Sequence, residues 1–202
     1  MRHEIKRELF SRLYDHVDGY QISNQSRSTV DHAKTTFTYG EIEFDSFLDI
    51  LKRIPDIQRK RVFYDLGSGT GKAVIAAGLS GYFSKVCGIE LLDNLHAEAQ
   101  CIQSSFEKEI KPLYRRARMT IEFIQDDLFR HIYDDADVIF IHTTTCMDEE
   151  MLERLQEHLK HVKHNAIVVT ATKSLGRPFD IMYSEKFKMG WGVATIYYHQ
   201  KN

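Results

Sequence analysis

From residue 61 onwards, short apolar runs alternate with helical patterns, and this alternation constrains the fold more than any other feature of the sequence. The predicted strands cover residues 61–66, 85–90, 120–125, 137–142 and 166–172. Segments with apolar residues at three- and four-residue spacing, predicted as helices, lie among them. Short apolar strands separated by helices indicate βαβ crossovers and a mostly parallel α/β sheet with helices on both faces.

The last part of the chain follows a different pattern. After Pro178 no helix is predicted, and the segment FDIMYSEKFKMGWGVATIYYHQK is typical of two long strands around a turn at residues 190–192. These strands are expected to form an antiparallel hairpin that closes the parallel sheet. The predicted sheet then has seven strands.

The chain length suits one domain with its own core, because 43% of the 202 residues are hydrophobic. A helix whose apolar face begins at Phe44 precedes the sheet pattern. Before it lie a short amphipathic helix and a polar stretch, 17–41, without clear periodicity. We therefore expect an N-terminal helix and an arm or lid over residues 1–43, and a single compact domain over residues 44–202.

Charge and cysteine content limit the partners. The chain has 27 Lys and Arg against 29 Asp and Glu, so no overall positive field attracts nucleic acid or an anionic membrane. No run approaches the roughly 18 to 20 apolar residues that a membrane-spanning helix needs. Cys87, Cys101 and Cys146 form neither a C-x-x-C pair nor a zinc-ligand spacing, which indicates reduced thiols and no metal. We expect an intracellular protein, cytoplasmic or nuclear.

The segment FYDLGSGTGKAV, residues 63–74, contains the end of the first predicted strand and a glycine-rich loop after it, which suggests a nucleotide ligand. A Walker A loop has the form G-x-x-x-x-G-K followed by Ser or Thr. Here Gly67 and Gly71 enclose only three residues, and Ala73 follows Lys72, which excludes that loop. A dinucleotide fingerprint, G-x-G-x-x-G, is weakened because Lys72 stands where its third glycine packs the helix against the strand.

Asp65, two residues before the first glycine, discriminates between the remaining ligands. Its carboxylate would face the space that a pyrophosphate occupies, where a like-charge pair at about 4 Å costs about 4 kcal/mol and an opposite-charge pair gains as much. The loop therefore favours a ligand with a positive group and no phosphate, such as S-adenosylmethionine with its ammonium and sulfonium. Gly67, Gly69 and Gly71 permit close backbone approach, and N–H groups at the helix start can bind the ligand carboxylate.

Further carboxylates stand at the ends of the next two strands. Glu90 ends the second strand, where an acid can accept hydrogen bonds from ribose hydroxyls. Asp126 and Asp127 follow the third strand, where they can bind the adenine amino group while Leu128 covers the ring. These side chains and Asp65 are expected at one crevice, because the carboxyl ends of parallel strands meet there. Such a sheet, with this ligand, is the Rossmann-like class I methyltransferase fold.

The segments TYGEIEFDSF, YDLGSGTGKAVIAA, GIE, FIQDDLF and DVIFIHTTTC, in that order, resemble those of the disruptor-of-telomeric-silencing (Dot1-like) class I lysine methyltransferases. The resemblance extends from Thr38 to about Lys173. Its Y-G-E segment is far more particular to that family than the glycine loop, which many methyltransferases share. The resemblance implies N-methylation of a protein lysine, with S-adenosylmethionine as cofactor.

The resemblance also implies roles for individual residues. Tyr39, Gly40 and Glu41 would arch over the methionine end of the cofactor, at the reacting centre. The implied cofactor contacts are Asp65 and Gly67 at the amino-acid moiety, Glu90 at the ribose, and Asp127 and Leu128 at the adenine. The loop after the fourth strand would form the methyl-transfer site. Where the family has an Asn-Asn-Phe type loop, this chain has HTTTC, so that His142 or Thr143 stands at the position of the asparagine.

Methyl transfer from a sulfonium is an in-line displacement that requires alignment at about 3 Å and exclusion of water. Tyr39 or Glu41 can orient an amine, and His142 can act as a base for a hydroxyl or amine. No proline lies between Pro112 and Pro178. The chain therefore lacks the D/N/S-P-P-Y/F loop of enzymes that methylate the amino groups of nucleic-acid bases or glutamine.

Three functions stay open, with a protein-lysine methyltransferase favoured. A small-molecule N- or O-methyltransferase would use residues 17–41 as a lid and His142 as a base. The third is a cofactor-binding module without catalysis. Nucleic acid is not expected as a partner, because KPLYRRAR at residues 111–118 is typical of a solvated basic helix end. The sequence leaves open the acceptor, histone or other, and the oligomeric state.

Overall fold

The computed structural model describes residues 1–27, 39–113, 119–143 and 147–201. Its helices are α1 (His3–Tyr14), α2 (Gly19–Arg27), α3 (Phe44–Lys52), α4 (Lys72–Ser80), α5 (Asp93–Ser105) and α6 (Glu149–Leu159). Its strands are β1 (Val62–Leu66), β2 (Lys85–Glu90), β3 (Thr120–Gln125), β4 (Val138–His142), β5 (Ile167–Ala171), β6 (Phe179–Met189) and β7 (Gly192–Lys201). None of the helices in these ranges has the length and apolar character to cross a membrane.

The strands form a seven-stranded sheet in the order β3-β2-β1-β4-β5-β7-β6. Strands β1 to β5 pair in parallel, and β7 runs antiparallel between β5 and β6. The chain turns back across the sheet between β3 and β4, so a crevice opens at the carboxyl ends of β1 and β4. The predicted parallel sheet with its C-terminal antiparallel hairpin is confirmed.

The sheet lies between two apolar layers. On one face, Phe63 and Phe140 belong to a cluster that includes residues of α1, α3, α4 and α5. On the other face, Tyr64 and Ile139 pack with α6. Neighbouring residues of each strand thus point to opposite faces, as the two-residue period of a strand requires. The predicted helices on both faces are confirmed.

The segment 17–41, for which no periodic structure was predicted, contains helix α2. The carboxylate of Asp18 accepts a hydrogen bond from the Gln21 N–H at 3.0 Å, which caps the start of the helix. The side chains that α2 buries include Ser23 and Ser26, so no apolar stripe marks it in the sequence. The D-x-x-Q spacing was the available signal. Residues 28–38 lie outside the described ranges.

Strands β1, β4 and β5 are each shorter than predicted, by one residue at one end or at both ends. Strand β5 ends at Ala171 because Thr172 adopts a φ of 91°, in the left-handed region. Strand β4 begins one residue later than predicted, after Asp137, and the side chain of Asp137 accepts hydrogen bonds from the backbone at the start of β1. One Asp137 carboxylate oxygen accepts from the N–H groups of Arg61 at 2.7 Å and Val62 at 3.0 Å, and the other accepts from Lys163 at 3.1 Å.

Asp137 therefore joins the starts of β1 and β4. Burial raises the pKa of this carboxyl, but the hydrogen bonds from Arg61, Lys163 and Val62 outweigh burial, so its pKa is lowered. A lowered pKa means that the charged form stabilises the fold above the usual carboxyl pKa, and that this stability is lost as the pH falls through the lower value in the folded protein.

We expect Asp137→Asn to destabilise the protein by about 1 to 3 kcal/mol at pH 7, because hydrogen bonds to a charged acceptor are lost. The difference from wild type should shrink below about pH 4, where the carboxyl becomes protonated in the unfolded wild-type chain, and should vanish below the lower pKa of the folded protein. Urea unfolding followed by circular dichroism measures both effects. Asp134→Asn, at an exposed acid nearby, is the control and should stay within about 0.5 kcal/mol. Equal stability of wild type and Asp137→Asn at pH 7 would contradict this role.

Candidate functional site

A cavity of about 260 Å³ opens at the carboxyl ends of the parallel strands. Its floor is the glycine loop after β1 and the ends of β2 and β4, and its sides are the loop after β3 and residues of α6. The segment from Tyr39 to Ile42 and Trp191 of the β6–β7 turn also line it. The cavity therefore lies at the crevice that the strand order creates.

The structure brings most of the predicted site residues together in this cavity. The predicted residues that line it are Tyr39, Glu41, Asp65, Gly67, Gly69, Glu90, Asp126, Asp127, Leu128 and His142. Gly71 and Thr143 do not line it. Among the described residues, no group of three or more His, Cys, Asp or Glu side chains is arranged to hold a metal ion.

Gly71 and Thr143 have structural positions next to the cavity. Gly71 has a φ of 87°, and a Cβ there would lie 2.4 Å from the Phe123 ring, so only glycine allows α4 to begin so close to β3. Thr143 is fully buried; its single O–H lies between the carbonyls of Ala171 and Lys173, at 2.7 and 2.8 Å, and its oxygen accepts from the Lys173 N–H at 3.0 Å. These bonds tie the end of β4 to the end of β5 and turn Thr143 away from the cavity where a catalytic role was predicted.

The glycine loop binds the end of β2 through its own backbone. The N–H groups of Gly67 and Ser68 both donate to the Ile89 carbonyl, at 2.8 and 2.9 Å, and Gly69 donates to Glu90. These three N–H groups are therefore used within the chain; the N–H groups predicted to bind a ligand carboxylate are others, at the start of α4, which begins at Lys72. The glycines instead allow close approach, because a Cβ at Gly69 would lie 2.7 Å from the Tyr39 ring.

Glu90 holds two loops at the cavity floor. One carboxylate oxygen accepts from the Gly69 N–H and the other from the Leu92 N–H, each at 2.8 Å. Burial raises the pKa of Glu90, and these backbone hydrogen bonds oppose the rise. A carboxylate has about four acceptor positions, so the two bonds leave capacity for a ligand hydroxyl.

Asp65 is a buried acid without a partner. Its side chain lines the cavity, the residue is only 5% exposed, and within the described residues it has no hydrogen bond or ion pair. Burial, together with the charge of Glu90, raises its pKa to about 8. A buried carboxyl of this kind is stabilised as an anion by a nearby cation or by hydrogen-bond donors. A positive group at the floor of the cavity would therefore be attracted to the ionised Asp65.

The Tyr39–Glu41 segment is bonded to the glycine loop and α4. The pKa of Tyr39 is raised by burial, so its hydroxyl stays protonated and donates to Glu41 Oε1 at 3.0 Å, and it lies 3.1 Å from the Thr70 hydroxyl. Lys72 Nζ donates to Glu41 Oε2 at 2.6 Å. No role at the site was predicted for Lys72, because the sequence gives no sign that Glu41 lies next to it in the folded chain.

His142 and Trp191 form a second wall. Their rings stack with centroids 4.0 Å apart and an interplanar angle of 21°. A Cβ at Gly40 would lie 2.8 Å from Trp191 and 2.9 Å from His142, so the arm contacts both rings. Burial lowers the pKa of His142 to about 4, so the imidazole is neutral near pH 7 and a weak base. Trp191 was not predicted at the site, because the sequence indicated only that it lies in the turn between the two last strands.

The opposite end of the cavity is formed after β3. Asp127 Oδ1 accepts from the Phe129 N–H at 2.9 Å, and Asp126 Oδ1 accepts from the Asp127 N–H at 2.8 Å, so both acids cap the turn while lining the cavity. Arg154 of α6 lies over the Phe129 ring at 4.0 Å. Leu128, Met147 and Met151 complete an apolar side that suits a flat ring. Sequence reasoning did not foresee the residues from α6.

We expect Asp65→Asn to raise the melting temperature of the ligand-free protein by roughly 2 to 8 °C at pH 8. In the unfolded chain this carboxyl ionises at its usual pKa of 3.8, but in the folded protein only at about 8. Wild type therefore loses stability as the pH rises between these values, and the loss is complete above about 8. The advantage of the variant should grow over the same range. Differential scanning fluorimetry from pH 5 to 9 measures it.

Asp126→Asn is the matched control, because it neutralises a half-buried acid at the same cavity and should change the melting temperature little. A melting temperature of Asp65→Asn equal to or below that of wild type at pH 8 would show that Asp65 is not an unpaired buried acid.

Solved structures with the same fold bind a common type of ligand. An RNA methyltransferase from Salinibacter ruber in complex with S-adenosyl-L-homocysteine is 25% identical, with a TM-score of 0.57, over 78% of this chain and 89% of that chain. Magnesium protoporphyrin IX methyltransferase from Synechocystis PCC 6803, with bound SAM, is 14% identical, with a TM-score of 0.57, over 92% of this chain and 98% of that one. The predicted Rossmann-like class I methyltransferase fold is confirmed.

Sequence relatives agree on one family. A protein from Caenorhabditis elegans named histone-lysine N-methyltransferase, H3 lysine-79 specific, is 32% identical over 147 residues, which are 70% of this chain and 15% of the relative. A protein of the same name from Eremothecium gossypii is 24% identical over 143 residues, 67% of this chain and 24% of the relative. The chain thus spans less than a quarter of the length of either relative. Because the family model "Histone methylation protein DOT1" matches residues 21–189, the chain belongs to the DOT1 family, as its resemblance predicted.

Proposed function

We propose that this chain is an S-adenosylmethionine-dependent methyltransferase that methylates a lysine side chain of a protein. The observation that carries the proposal is Asp65, a buried carboxylate that lines the cavity and has no cation partner within the described residues. S-adenosylmethionine, when bound, supplies a methyl group activated by positive sulfur, next to an ammonium group. The relatives named as H3 lysine-79 methyltransferases support a histone acceptor and a nuclear location.

The charge of the cavity supports this ligand. The acidic residues that line it are Glu41, Asp65, Glu90, Asp126 and Asp127, whereas the basic ones in the described ranges are Lys72 and Arg154. A site with this excess of carboxylates attracts a cation and repels a phosphate. We propose that Asp65 binds the cofactor ammonium, Glu90 the ribose hydroxyls, and Asp126 or Asp127 the adenine amino group with Leu128 against the ring. Gly67 and Gly69 let the ligand approach the loop.

The acceptor would approach from the side of the arm. Tyr39, Glu41 and the ring of Trp191 exclude water there, and an amine can be oriented by hydrogen bonds to Glu41 or to the neutral imidazole of His142. His142 holds no proton near neutral pH, so it can accept a hydrogen bond from an amine without adding a repelling charge. In this proposal the residues 1–43 form an N-terminal helix and an arm over the cavity, and residues 44–202 form the methyltransferase domain.

One observation favours a second candidate, a small-molecule N- or O-methyltransferase. The cavity wall is formed by stacked rings of His142 and Trp191, a surface that also suits a planar acceptor whose hydroxyl or amine bonds to the imidazole. A cofactor-binding module without catalysis differs from both in transferring no methyl group.

We expect the protein to transfer tritium from labelled S-adenosylmethionine to histone H3 in nucleosomes. Free H3, a protein lysate and its small-molecule fraction are assayed in parallel. Label confined to small molecules would support the second candidate, and no transfer despite cofactor binding would support the non-catalytic module.

Asp65→Asn should weaken cofactor binding by about 100- to 1000-fold, because one opposite-charge pair is lost. Asp134→Asn, at an exposed turn, is the control and should transfer like wild type.

We also expect the affinity for S-adenosylhomocysteine to fall by about tenfold for each pH unit between pH 8 and 6. In the empty site Asp65 has a pKa of about 8, and the ligand ammonium binds its ionised form, so each step below this pH leaves fewer competent sites. Isothermal titration calorimetry in two buffers of different ionisation enthalpy measures both the affinity and the proton released. An affinity that does not change between pH 6 and 8 would remove Asp65 from the ammonium site.

A further inference from the structure

The ion pair between Lys72 and Glu41 joins the first residue of α4 to the arm. Lys72 Nζ lies 2.6 Å from Glu41 Oε2, and the two side chains are only 17% and 16% exposed. The ammonium also lies 5.3 Å from the centre of the Tyr14 ring, over its face. Lys72 is thus held between a helix of the core and the segment that covers the cavity.

Glu41 carries this connection to the far wall of the cavity. Its Oε1 accepts from the Tyr39 hydroxyl, and its backbone carbonyl accepts from the Gly190 N–H at 2.9 Å. Gly190 packs so closely on this carbonyl that a Cβ would lie 2.6 Å from the Glu41 oxygen. The next residue is Trp191, which stacks on His142. A continuous set of contacts therefore runs from α4 through the arm to the β6–β7 turn and the end of β4.

We propose that Lys72 is a positioning residue: its ammonium fixes Glu41, and through Glu41 it fixes the Tyr39–Glu41 segment and the Trp191 ring that bound the acceptor side of the cavity. The acceptor side is defined by the proposed function, and the proposal rests on that function to this extent. The contacts themselves exist without any ligand.

The electrostatics of the cavity explain why a cation is needed at this position. Glu41 enters a cavity that already holds the buried carboxylates of Asp65 and Glu90. Without Lys72, the largely buried charge of Glu41 would have no opposing charge, and the arm would gain by moving Glu41 towards water. An arginine can keep the charge and the hydrogen bond, whereas methionine fills similar volume without either.

Trp191 reports the position of this wall directly, because it is the single tryptophan of the chain. In ligand-free protein, Lys72→Met should shift the tryptophan emission to longer wavelength and increase quenching by acrylamide. Glu41→Gln, which breaks the same pair from the other side, should do the same. Lys72→Arg should restore the wild-type spectrum. Circular dichroism of each variant confirms that it is folded.

Lys85→Met is the matched control. Lys85 is also a partly buried lysine paired with a carboxylate, Asp135 at 3.0 Å, but at the start of β2, away from the cavity. The Lys85→Met substitution should lower the melting temperature and leave the tryptophan fluorescence unchanged.

S-adenosylhomocysteine binding, measured by calorimetry, should weaken by about five- to tenfold in Lys72→Met and stay near the wild-type value in Lys72→Arg and Lys85→Met.

The fluorescence measurement needs no ligand, so it tests the positioning role even if the protein binds no S-adenosylmethionine. An unchanged Trp191 emission spectrum in folded Lys72→Met overturns the proposal. This holds even if the same variant binds the ligand more weakly, because Lys72 would then act on the ligand directly and not through the arm. A spectrum of Lys72→Arg as altered as that of Lys72→Met overturns it too. Failure of wild type to bind the ligand or transfer methyl groups would instead contradict the proposed function.

Discussion

The carboxylate of Glu90 joins the two loops on which the cavity depends. It accepts hydrogen bonds from the N–H of Gly69, in the loop after β1, and from the N–H of Leu92, before α5, so the distance between the two loops is fixed. Its charge also raises the pKa of Asp65, which lies beside it in the same buried floor. The spacing of the loops at the floor thus depends on Glu90, and the raised pKa of Asp65 depends on burial and, in addition, on the Glu90 charge. In the absence of Glu90, the glycine loop would lose both a backbone anchor and part of its selectivity.

Much of this arrangement could be predicted from the sequence, because it depends on local pattern. The alternation of apolar strands and helices predicted the parallel sheet, and carboxylates at successive strand ends predicted that Asp65, Glu90 and Asp127 would meet at one crevice. The contribution of Lys72 could not be predicted, since its partner Glu41 lies 31 positions earlier and only the folded arm brings them together. Thr143 shows the reverse case: its position after β4 suggested chemistry, but three-dimensional packing uses its hydroxyl to join two strands.

Charge divides the cavity into two regions with different properties. At the arm, Lys72 compensates Glu41, so this end presents hydrogen-bonding groups with little net charge, beside the neutral ring of His142. At the floor, Asp65 and Glu90 have no cation within the described residues. In the proposed function, this division suits the two reactants, because a cationic cofactor belongs at the floor and a neutral amine is the form of lysine that can attack a methyl group. Trp191 closes the region between them.

The unpaired acid at the floor also links the stability of the fold to its ligand. A protein that buries Asp65 with no partner among the residues that the structure describes is less stable when empty, and a ligand that binds only the folded chain stabilises it by about 2.7 kcal/mol at 100 times its dissociation constant. Under the proposed function, the fraction of chains that stays folded in a cell would therefore rise and fall with the supply of methyl donor.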